Sequence, residues 1–266
     1  YFSFLGISGF PLSILLGTIV YYILTALLVS SKRGKQNKIF ILIAIIAPFV
    51  PELIVRIFDW SETLVSFPDN LFKVLAIIIS WIVFGYTKNT LIRIGVSVIV
   101  FAVTIWFPFC GYAYWSNYII DGSFTGKKYQ HISSEIKVQD ANGEYVDLES
   151  LYKSYILLDF WSRRCGVCYK MMPEVEKLYE RFKNNEDIKV YSVFCRYEDD
   201  RYNSGDSIVR SRGYNFPVVS IDYNEYIALM KELGVETYPQ FLIMDSDNNI
   251  VYQGTLILAE KFLEDL

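Results

Sequence analysis

The first 120 residues contain uncharged stretches that are long enough to cross a lipid bilayer. The chain has no charged residue before Lys32, and Phe10–Ser30 spans a membrane at about 1.5 Å per helical residue. A cleaved signal peptide has a basic start and a short apolar core, and this segment has neither. The first residue is Tyr rather than Met, so we expect a processed or truncated product. Phe10–Ser30 is therefore predicted to be a membrane-spanning helix.

Three further stretches in this half have the length and apolarity of membrane helices. They are Ile39–Phe58, Leu71–Thr87 and the uncharged residues between Arg93 and Asp121. In the second, Glu52 and Arg56 are four residues apart, which lets them pair on one helix face. Aromatic residues favour the headgroup level, and several gather at the far end of the fourth stretch: Trp106, Tyr112, Tyr114 and Trp115. We predict a bundle of four transmembrane helices over residues 1–120, in contact with lipid, that serves as an anchor or docking surface.

The charges of the loops predict how this bundle is oriented. The first and third loops are basic, whereas the loop between the second and third spans is acidic. The basic residues are Lys32, Arg33, Lys35, Lys38, Lys88 and Arg93, and the acidic ones are Asp59, Glu62 and Asp69. Cytoplasmic loops carry the excess of Lys and Arg. We therefore expect a multi-pass protein of the cytoplasmic membrane, with everything after Asp121 in the periplasm or another extracytoplasmic space.

Charge and composition set the second half apart from the first. Residues 1–120 hold 8 Lys and Arg against 4 Asp and Glu, whereas residues 121–266 hold 17 against 25, a net charge of −8. Such an acidic half would repel phosphates, so nucleic acid is excluded as a partner. We predict three regions: a transmembrane part at 1–120, a polar linker at 121–129 and a soluble domain at 130–266.

The soluble half alternates predicted strands with amphipathic helices. A turn at Asp140–Gly143 predicts a β-hairpin, and the continuous apolar run Tyr155–Trp161 is typical of a buried strand. The predicted hairpin strands are Ile136–Val138 and Tyr145–Val146; later strands are Val190–Phe194, Pro217–Ile221, Phe241–Met244 and Ile250–Tyr252; the helices are Met171–Phe182, Ser207–Arg212, Tyr226–Leu233 and Ala259–Leu266. This order predicts an α/β fold around a central sheet.

Two cysteines, Cys165 and Cys168, lie between that buried strand and an amphipathic helix. A helix N-terminus favours the thiolate form of the first cysteine, and two intervening residues allow the second to close a disulfide. Arg163 and Arg164 directly precede the pair, and we expect them to stabilise the thiolate further. The arrangement predicts thiol–disulfide exchange.

Other uses of a cysteine pair fit the sequence less well. A c-type haem site requires His directly after the second cysteine, where this chain has Tyr169. A structural zinc site requires four ligands, and the spare candidates Cys195 and His131 lack the spacing of a second ligand pair. We therefore expect no metal and no cofactor.

These residues resemble the thioredoxin superfamily, and most closely its membrane-tethered TlpA/ResA-like branch. The similar segments are Leu158–Cys168, with Pro173 in the helix that follows, and Gly234–Phe241, which resembles the family's segment with a cis-proline. The resemblance covers about residues 130–266. Two departures concern the site: Arg164 stands where most relatives have tryptophan, and Gly166 and Val167 replace the commoner Gly-Pro or Pro-Pro.

The resemblance implies a role for each residue of the site. Cys165 would attack the substrate and Cys168 would resolve the mixed disulfide, while Asp159 would accept the resolving thiol's proton. Pro239 would lie beside Cys165 as a cis-proline. The implied substrate-binding residues are Trp161, Arg164 and Tyr238, the last through its backbone.

The sequence thus favours a membrane-anchored thiol–disulfide oxidoreductase of a bacterial envelope. Its expected partners are proteins with reactive thiols or disulfides and an unidentified membrane redox partner. One alternative is a transmembrane electron relay, which needs cysteine pairs near the bundle, where only Cys110 is present. Another is a non-enzymatic membrane sensor or scaffold. Cys195 is either a third redox thiol or a small buried hydrophobic residue.

Overall fold

The computed structural model describes residues 9–31, 33–34, 37–58, 63–132, 135–233 and 237–266. The chain divides into two compact units, Tyr1–Ile119 and Ile120–Leu266. Some of the residues used for prediction lie outside the described part: Lys32, Lys35, Asp59, Glu62 and 234–236. Each unit is described by itself.

The first unit consists of helices. They are α1 (Gly9–Ser30), α2 (Lys38–Ile46), α3 (Val50–Phe58), α4 (Phe67–Tyr86), α5 (Thr90–Trp106) and α6 (Tyr112–Asp121), with 3₁₀ turns at Ala47–Phe49 and Leu64–Ser66 and a π-helical turn at Phe107–Gly111. By length and composition, four helical segments are able to cross a membrane: Pro11–Ser30, Lys38–Phe58, Leu64–Tyr86 and Thr90–Asp121. The four predicted helices are confirmed, although the third segment begins at Leu64 rather than Leu71.

Prolines account for the irregular turns within these segments. Pro48 lies in the 3₁₀ turn between α2 and α3, and Pro108 lies in the π-helical turn between α5 and α6. Proline has no backbone N–H to donate and its ring crowds the preceding turn, which disfavours the regular α-helical pattern at that point. Two of the four apolar segments are therefore built from two shorter helices.

Charged side chains inside this unit have partners. Lys73 forms an ion pair with Asp69 at 2.8 Å, and its ammonium also donates to the Ser13 hydroxyl at 3.0 Å. The lysine stem crosses α1 at Gly17, where any Cβ would clash with it. The predicted pair of Glu52 and Arg56 is present, with 2.9 Å between oxygen and nitrogen. These contacts offset the desolvation of charges in an apolar bundle.

The second unit is one mixed sheet of eight strands with helices packed on it. The strands, numbered along the chain, are β1 (Lys127–His131), β2 (Lys137–Gln139), β3 (Tyr145–Asp147), β4 (Tyr155–Trp161), β5 (Ile188–Arg196), β6 (Val218–Asp222), β7 (Gln240–Asp245) and β8 (Asn249–Gly254). Their order is β1-β8-β7-β4-β5-β6-β2-β3. β4, β5 and β6 are parallel to one another, and β7 runs antiparallel to β4.

Four helices complete this unit: α7 (Gly166–Phe182), α8 (Ser204–Ser211), α9 (Tyr223–Leu233) and α10 (Leu256–Glu264), with a 3₁₀ turn at Leu148–Leu151. Six of the seven residues of β4 are buried, because it lies in the middle of the sheet with helices on both faces. The predicted α/β fold is confirmed.

The structure differs from the sequence prediction at several element ends. α7 begins at Gly166, not Met171, because Cys165 caps it. The last helix covers Leu256–Glu264 rather than Ala259–Leu266. The predicted linker 121–129 ends in strand β1, which pairs antiparallel with β8. β1 is mostly polar and lies at the sheet edge, so hydrophobic alternation does not reveal it.

We expect Gly205→Ala to destabilise the second unit. Gly205 lies on α8, and a Cβ there would approach Phe194 of β5 to 2.5 Å. Overpacking a core costs about 1–3 kcal/mol, which exceeds the gain of about 1 kcal/mol from replacing a helical glycine. The measurement is urea-dependent labelling of buried Cys195 with a thiol reagent, in the full chain in detergent. Ser207→Ala, on the exposed side of the same helix, is the control and should not lower stability; an unchanged midpoint for Gly205→Ala would contradict the prediction.

Candidate active site

The cysteine pair forms a disulfide at the N-terminus of α7, in the loop that follows β4. The Cα atoms of Cys165 and Cys168 are 5.3 Å apart. Cys165 is partly exposed, whereas Cys168 is buried beneath it. An attacking partner therefore reaches the first sulfur and not the second, as the exchange mechanism requires.

The helix N-terminus acts directly on the sulfur of Cys165. Cys165 is the N-cap residue of α7, and the backbone N–H of Cys168 donates to its Sγ at 3.1 Å. Unpaired N–H groups and the helix dipole place positive potential at this position. Both effects favour a thiolate on Cys165 once the disulfide is reduced.

The two arginines before the pair have different partners. The Arg163 guanidinium pairs with both Asp199 and Asp200, with 3.2 Å from its Nε to the Asp200 carboxylate. This contact holds the pKa of Asp199 below its usual range. The charge of Arg163 is therefore offset by these carboxylates, which reduces the support that it can give to a thiolate at Cys165.

Arg164 is exposed and lies against an aromatic ring instead. Its guanidinium carbon is 4.2 Å from the ring centroid of Tyr197, at the end of β5. The Tyr197 ring is stacked on Tyr223 of α9, with 5.2 Å between centroids. A row of three flat groups thus extends from the residue next to Cys165 to the start of α9.

The segment Tyr238–Pro239 lies at the same end of the central strands as the cysteine loop, which follows the C-terminal end of β4. Its peptide bond is cis. Gln240, the next residue, pairs with Phe160 near the end of β4, so the segment and the loop after β4 are neighbours. The Tyr238 ring stacks on Tyr226 of α9 at 4.9 Å. The structure therefore brings the predicted cis-proline to the cysteine side of the sheet.

Asp159 is a buried acid in the middle of β4. Its side chain is 5% exposed, and the Ser192 hydroxyl of β5 donates to its Oδ2 at 3.1 Å. Burial raises the pKa of Asp159 to about 7, while the hydrogen bond from Ser192 opposes that rise. Near neutral pH, both the charged and the neutral form of this carboxyl group are therefore populated.

Trp161 lies behind the site rather than on its surface. It is 1% exposed, and its ring packs against Phe194 at 4.9 Å and Tyr169 at 5.9 Å. The side chain has almost no surface to offer a substrate in this structure. Its position suits support of the cysteine loop from within the core.

The remaining thiols, Cys110 and Cys195, are not part of a disulfide in the structure. Cys195 is fully buried in β5, and burial raises the pKa of its thiol well above the usual range. Cys110 is exposed and belongs to the first unit. His131 Nδ1 is 3.2 Å from the Asn249 side-chain oxygen. Within the described ranges, no group of three or more His, Cys, Asp or Glu residues is placed to hold a metal ion.

Sequence reasoning missed the residues that fasten the cysteine loop from outside it. Asp199 and Asp200 follow β5, whose C-terminal end meets that of β4 because the strands are parallel. Two acidic residues after β5 and two arginines after β4 were a usable signal for an ion pair at this end of the strands. The contact of Tyr169 with the cysteine loop had no sequence signal. Its hydroxyl donates to the Arg163 carbonyl at 2.9 Å, and Arg212 lies over its ring at 4.3 Å.

The second half matches a known family and several characterised proteins. Residues 130–253 match the AhpC/TSA family. The thiol-disulfide oxidoreductase ResA of Halalkalibacterium halodurans is 24% identical over 162 residues, which cover 58% of this chain and 83% of that protein. ResA of Bacillus thuringiensis is 28% identical over 151 residues, covering 56% and 82%.

Among solved structures, the solution structure of a thiol:disulfide interchange protein from Bacteroides sp. superposes with a TM-score of 0.46 and 20% identity, over 53% of this chain and 91% of that one. The family match covers the strand, loop and helix that carry Asp159, Cys165 and Cys168. Residues 130–253 therefore form a thioredoxin-like domain of the AhpC/TSA family, with homologues among the thiol-disulfide oxidoreductases named ResA.

Proposed function

We propose that this protein is a membrane-anchored thiol–disulfide oxidoreductase that exchanges disulfides with protein substrates through Cys165 and Cys168. The observation that carries the proposal is the disulfide at the N-terminus of α7, with one sulfur reachable and the other buried. The ResA relatives, which carry the name of this activity, support it.

In the reducing direction, the Cys165 thiolate attacks one sulfur of a substrate disulfide. A mixed disulfide forms, and the other substrate sulfur leaves as a thiolate that takes up a proton. Cys168 then loses its proton and attacks Cys165 Sγ, which forms the Cys165–Cys168 disulfide and releases the second substrate thiolate. Two electrons pass from the protein to the substrate, and the same steps in reverse oxidise a substrate dithiol.

Asp159 is the proposed proton acceptor for Cys168. Resolution requires a thiolate from a buried thiol, whose ionisation burial disfavours. A carboxyl group with a pKa of about 7 is suited to take that proton and to release it afterwards. Asp159 lies on the strand that leads into the cysteine loop, six residues before Cys165.

Tyr238 and Pro239 provide the proposed substrate-binding backbone. β7 pairs with β4 only from Gln240 onward, so the backbone before Gln240 lies beyond the ladder. An extended substrate segment that adds to this backbone would bring its cysteine to Cys165. Pro239 has no N–H, so its own peptide group contributes no competing donor.

Residues 1–120 are proposed as the membrane anchor, with the domain at 130–266 on the extracytoplasmic side. The four apolar segments support the anchor, and the basic first and third loops support the orientation. An extracytoplasmic position also suits disulfide chemistry, because such compartments are oxidising. A separate membrane protein would supply or remove electrons, since residues 1–120 contain a single cysteine.

If the domain is extracytoplasmic, a membrane-impermeant maleimide should label reduced Cys165 on intact cells. The experiment uses a Cys110→Ser background, so that the exposed cysteine of the first unit does not contribute. Ser31→Cys, in the predicted cytoplasmic first loop, is the matched control and should be labelled only after lysis. Protection of Cys165 until lysis would refute the orientation.

The thiolate pKa of Cys165 is expected to lie below that of free cysteine, about 8.5, because of the helix N-terminus and the adjacent Arg164. Absorbance of the thiolate against pH measures it in the full chain carrying Cys168→Ser and Cys110→Ser. Buried Cys195 stays protonated over this range and adds no signal. A midpoint at or above the free value would rule out thiolate activation.

Asp159→Asn should slow resolution of the mixed disulfide by about 10²-fold while leaving its formation nearly unchanged. In the wild-type protein, the resolution rate should rise with pH through about 7, because only the ionised carboxylate accepts a proton. Asp159→Asn should abolish that rise. Stopped-flow tryptophan fluorescence of the full chain in detergent separates the two steps.

Ser192→Ala is the matched control for this acid. It removes the hydrogen bond that holds the pKa of Asp159 down, so the midpoint of the resolution rate should move to higher pH without loss of the step. Equal resolution rates in Asp159→Asn and wild type would leave Asp159 as a structural residue of the core.

A further inference from the structure

Two consecutive arginines precede the reactive cysteine, and only the first is paired with carboxylates. Arg163 contacts both Asp199 and Asp200. Within the described ranges, no carboxylate lies within 4.0 Å of the Arg164 guanidinium, although Asp199 is near enough to feel its charge. Arg164 therefore holds a positive charge at the surface without a bound counter-charge.

Stacking holds this guanidinium in place without using its hydrogen-bond donors. The guanidinium carbon of Arg164 lies over the Tyr197 ring, 4.2 Å from its centroid. Tyr197 is in turn stacked on Tyr223. The N–H donors of arginine lie in the guanidinium plane, in a fork that matches the two oxygens of a carboxylate. The contact with Tyr197 uses none of these donors, so they remain open to a carboxylate.

The position of this edge relates it to the substrate. Arg164 directly precedes Cys165 in the chain, and Cys165 is the partly exposed cysteine of the pair. In a mixed disulfide, the residues that flank the substrate cysteine lie beside the residues that flank Cys165. Val167, on the other side of Cys165, is 56% exposed and carries no charge. Arg164 is therefore an exposed, charged side chain next to Cys165 in the chain, with no carboxylate paired to it within the described ranges.

We propose that Arg164 selects substrates that carry an Asp or Glu next to the cysteine that Cys165 attacks. The inference rests on the disulfide exchange proposed above and names the class of substrate for that site. It runs against the net charge of the second half, −8, which by itself favours basic partners. Recognition by Arg164 predicts a preference for acidic residues next to the substrate cysteine. Long-range attraction by the acidic domain predicts a preference for basic ones.

Three peptides closed by one disulfide test this preference. They are identical except that both cysteines are followed by Glu, by Gln or by Lys. The pre-reduced full chain in detergent reduces each peptide in a single turnover. Each rate is divided by the rate with dithiothreitol, which removes the effect of the flanking residue on the intrinsic reactivity of the disulfide.

The wild-type protein should reduce the Glu peptide about 2- to 5-fold faster than the Gln peptide, the range expected for an exposed ion pair. Arg164→Gln should remove this ratio. Arg164→Lys should keep only part of it, because lysine retains the charge but not the fork. A change in Cys165 acidity alters all three rates equally and leaves the ratio unchanged.

Lys153→Gln is the matched control. It removes one positive charge next to the opposite end of β4, about 20 Å away at 3.3 Å per strand residue, and should keep the wild-type ratio. Equal normalised rates for the three peptides, a preference for Lys, or an unchanged ratio in Arg164→Gln would overturn the proposal while disulfide exchange stands. If the protein reduces none of the peptides, or if Cys165→Ser reduces them as well as the wild type does, the proposed function itself is wrong.

Discussion

The active site of this domain depends on the pairing of β4 with strands on both sides. β4 pairs in parallel with β5 from Tyr155 to Trp161, and antiparallel with β7 from Tyr155 to Phe160. These two registers place the cysteine loop, the C-terminal end of β5 and the start of β7 at the same end of the central strands. A slip by one residue would turn Asp159 and its neighbours to the opposite faces. The geometry of the site is therefore set by backbone hydrogen bonds rather than by contacts among the catalytic groups.

Two opposite electrostatic environments lie within a few residues of each other. Burial in β4 disfavours the charged form of Asp159 and raises its pKa to about 7. At the start of α7, the N–H of Cys168 and the helix dipole favour negative charge on Cys165. The first environment places the pKa of a carboxyl group near neutral pH, and the second favours the thiolate form of Cys165. Both follow from the strand–loop–helix connection, without a metal ligand or a histidine.

Much of this could be predicted because the relevant signals are local. The seven residues of β4, six of them apolar, match the predicted strand Tyr155–Trp161 at both ends, and the cysteine spacing located the disulfide. Contacts between distant parts of the chain had no such signal. The pairing of Arg163 with Asp199 joins residues 36 positions apart, and it depends on the parallel register of β4 and β5. Strand β1 escaped prediction because a polar edge strand lacks a hydrophobic period.

The clamp formed by Arg163 with Asp199 and Asp200 separates two tasks that adjacent residues would otherwise share. The clamp holds the cysteine loop, and replacement of Arg163 would leave two adjacent carboxylates without their shared cation. Arg164 is exposed and takes no part in the clamp. A substitution at Arg164 would therefore alter the surface next to Cys165 without removing the contacts that hold the cysteine loop.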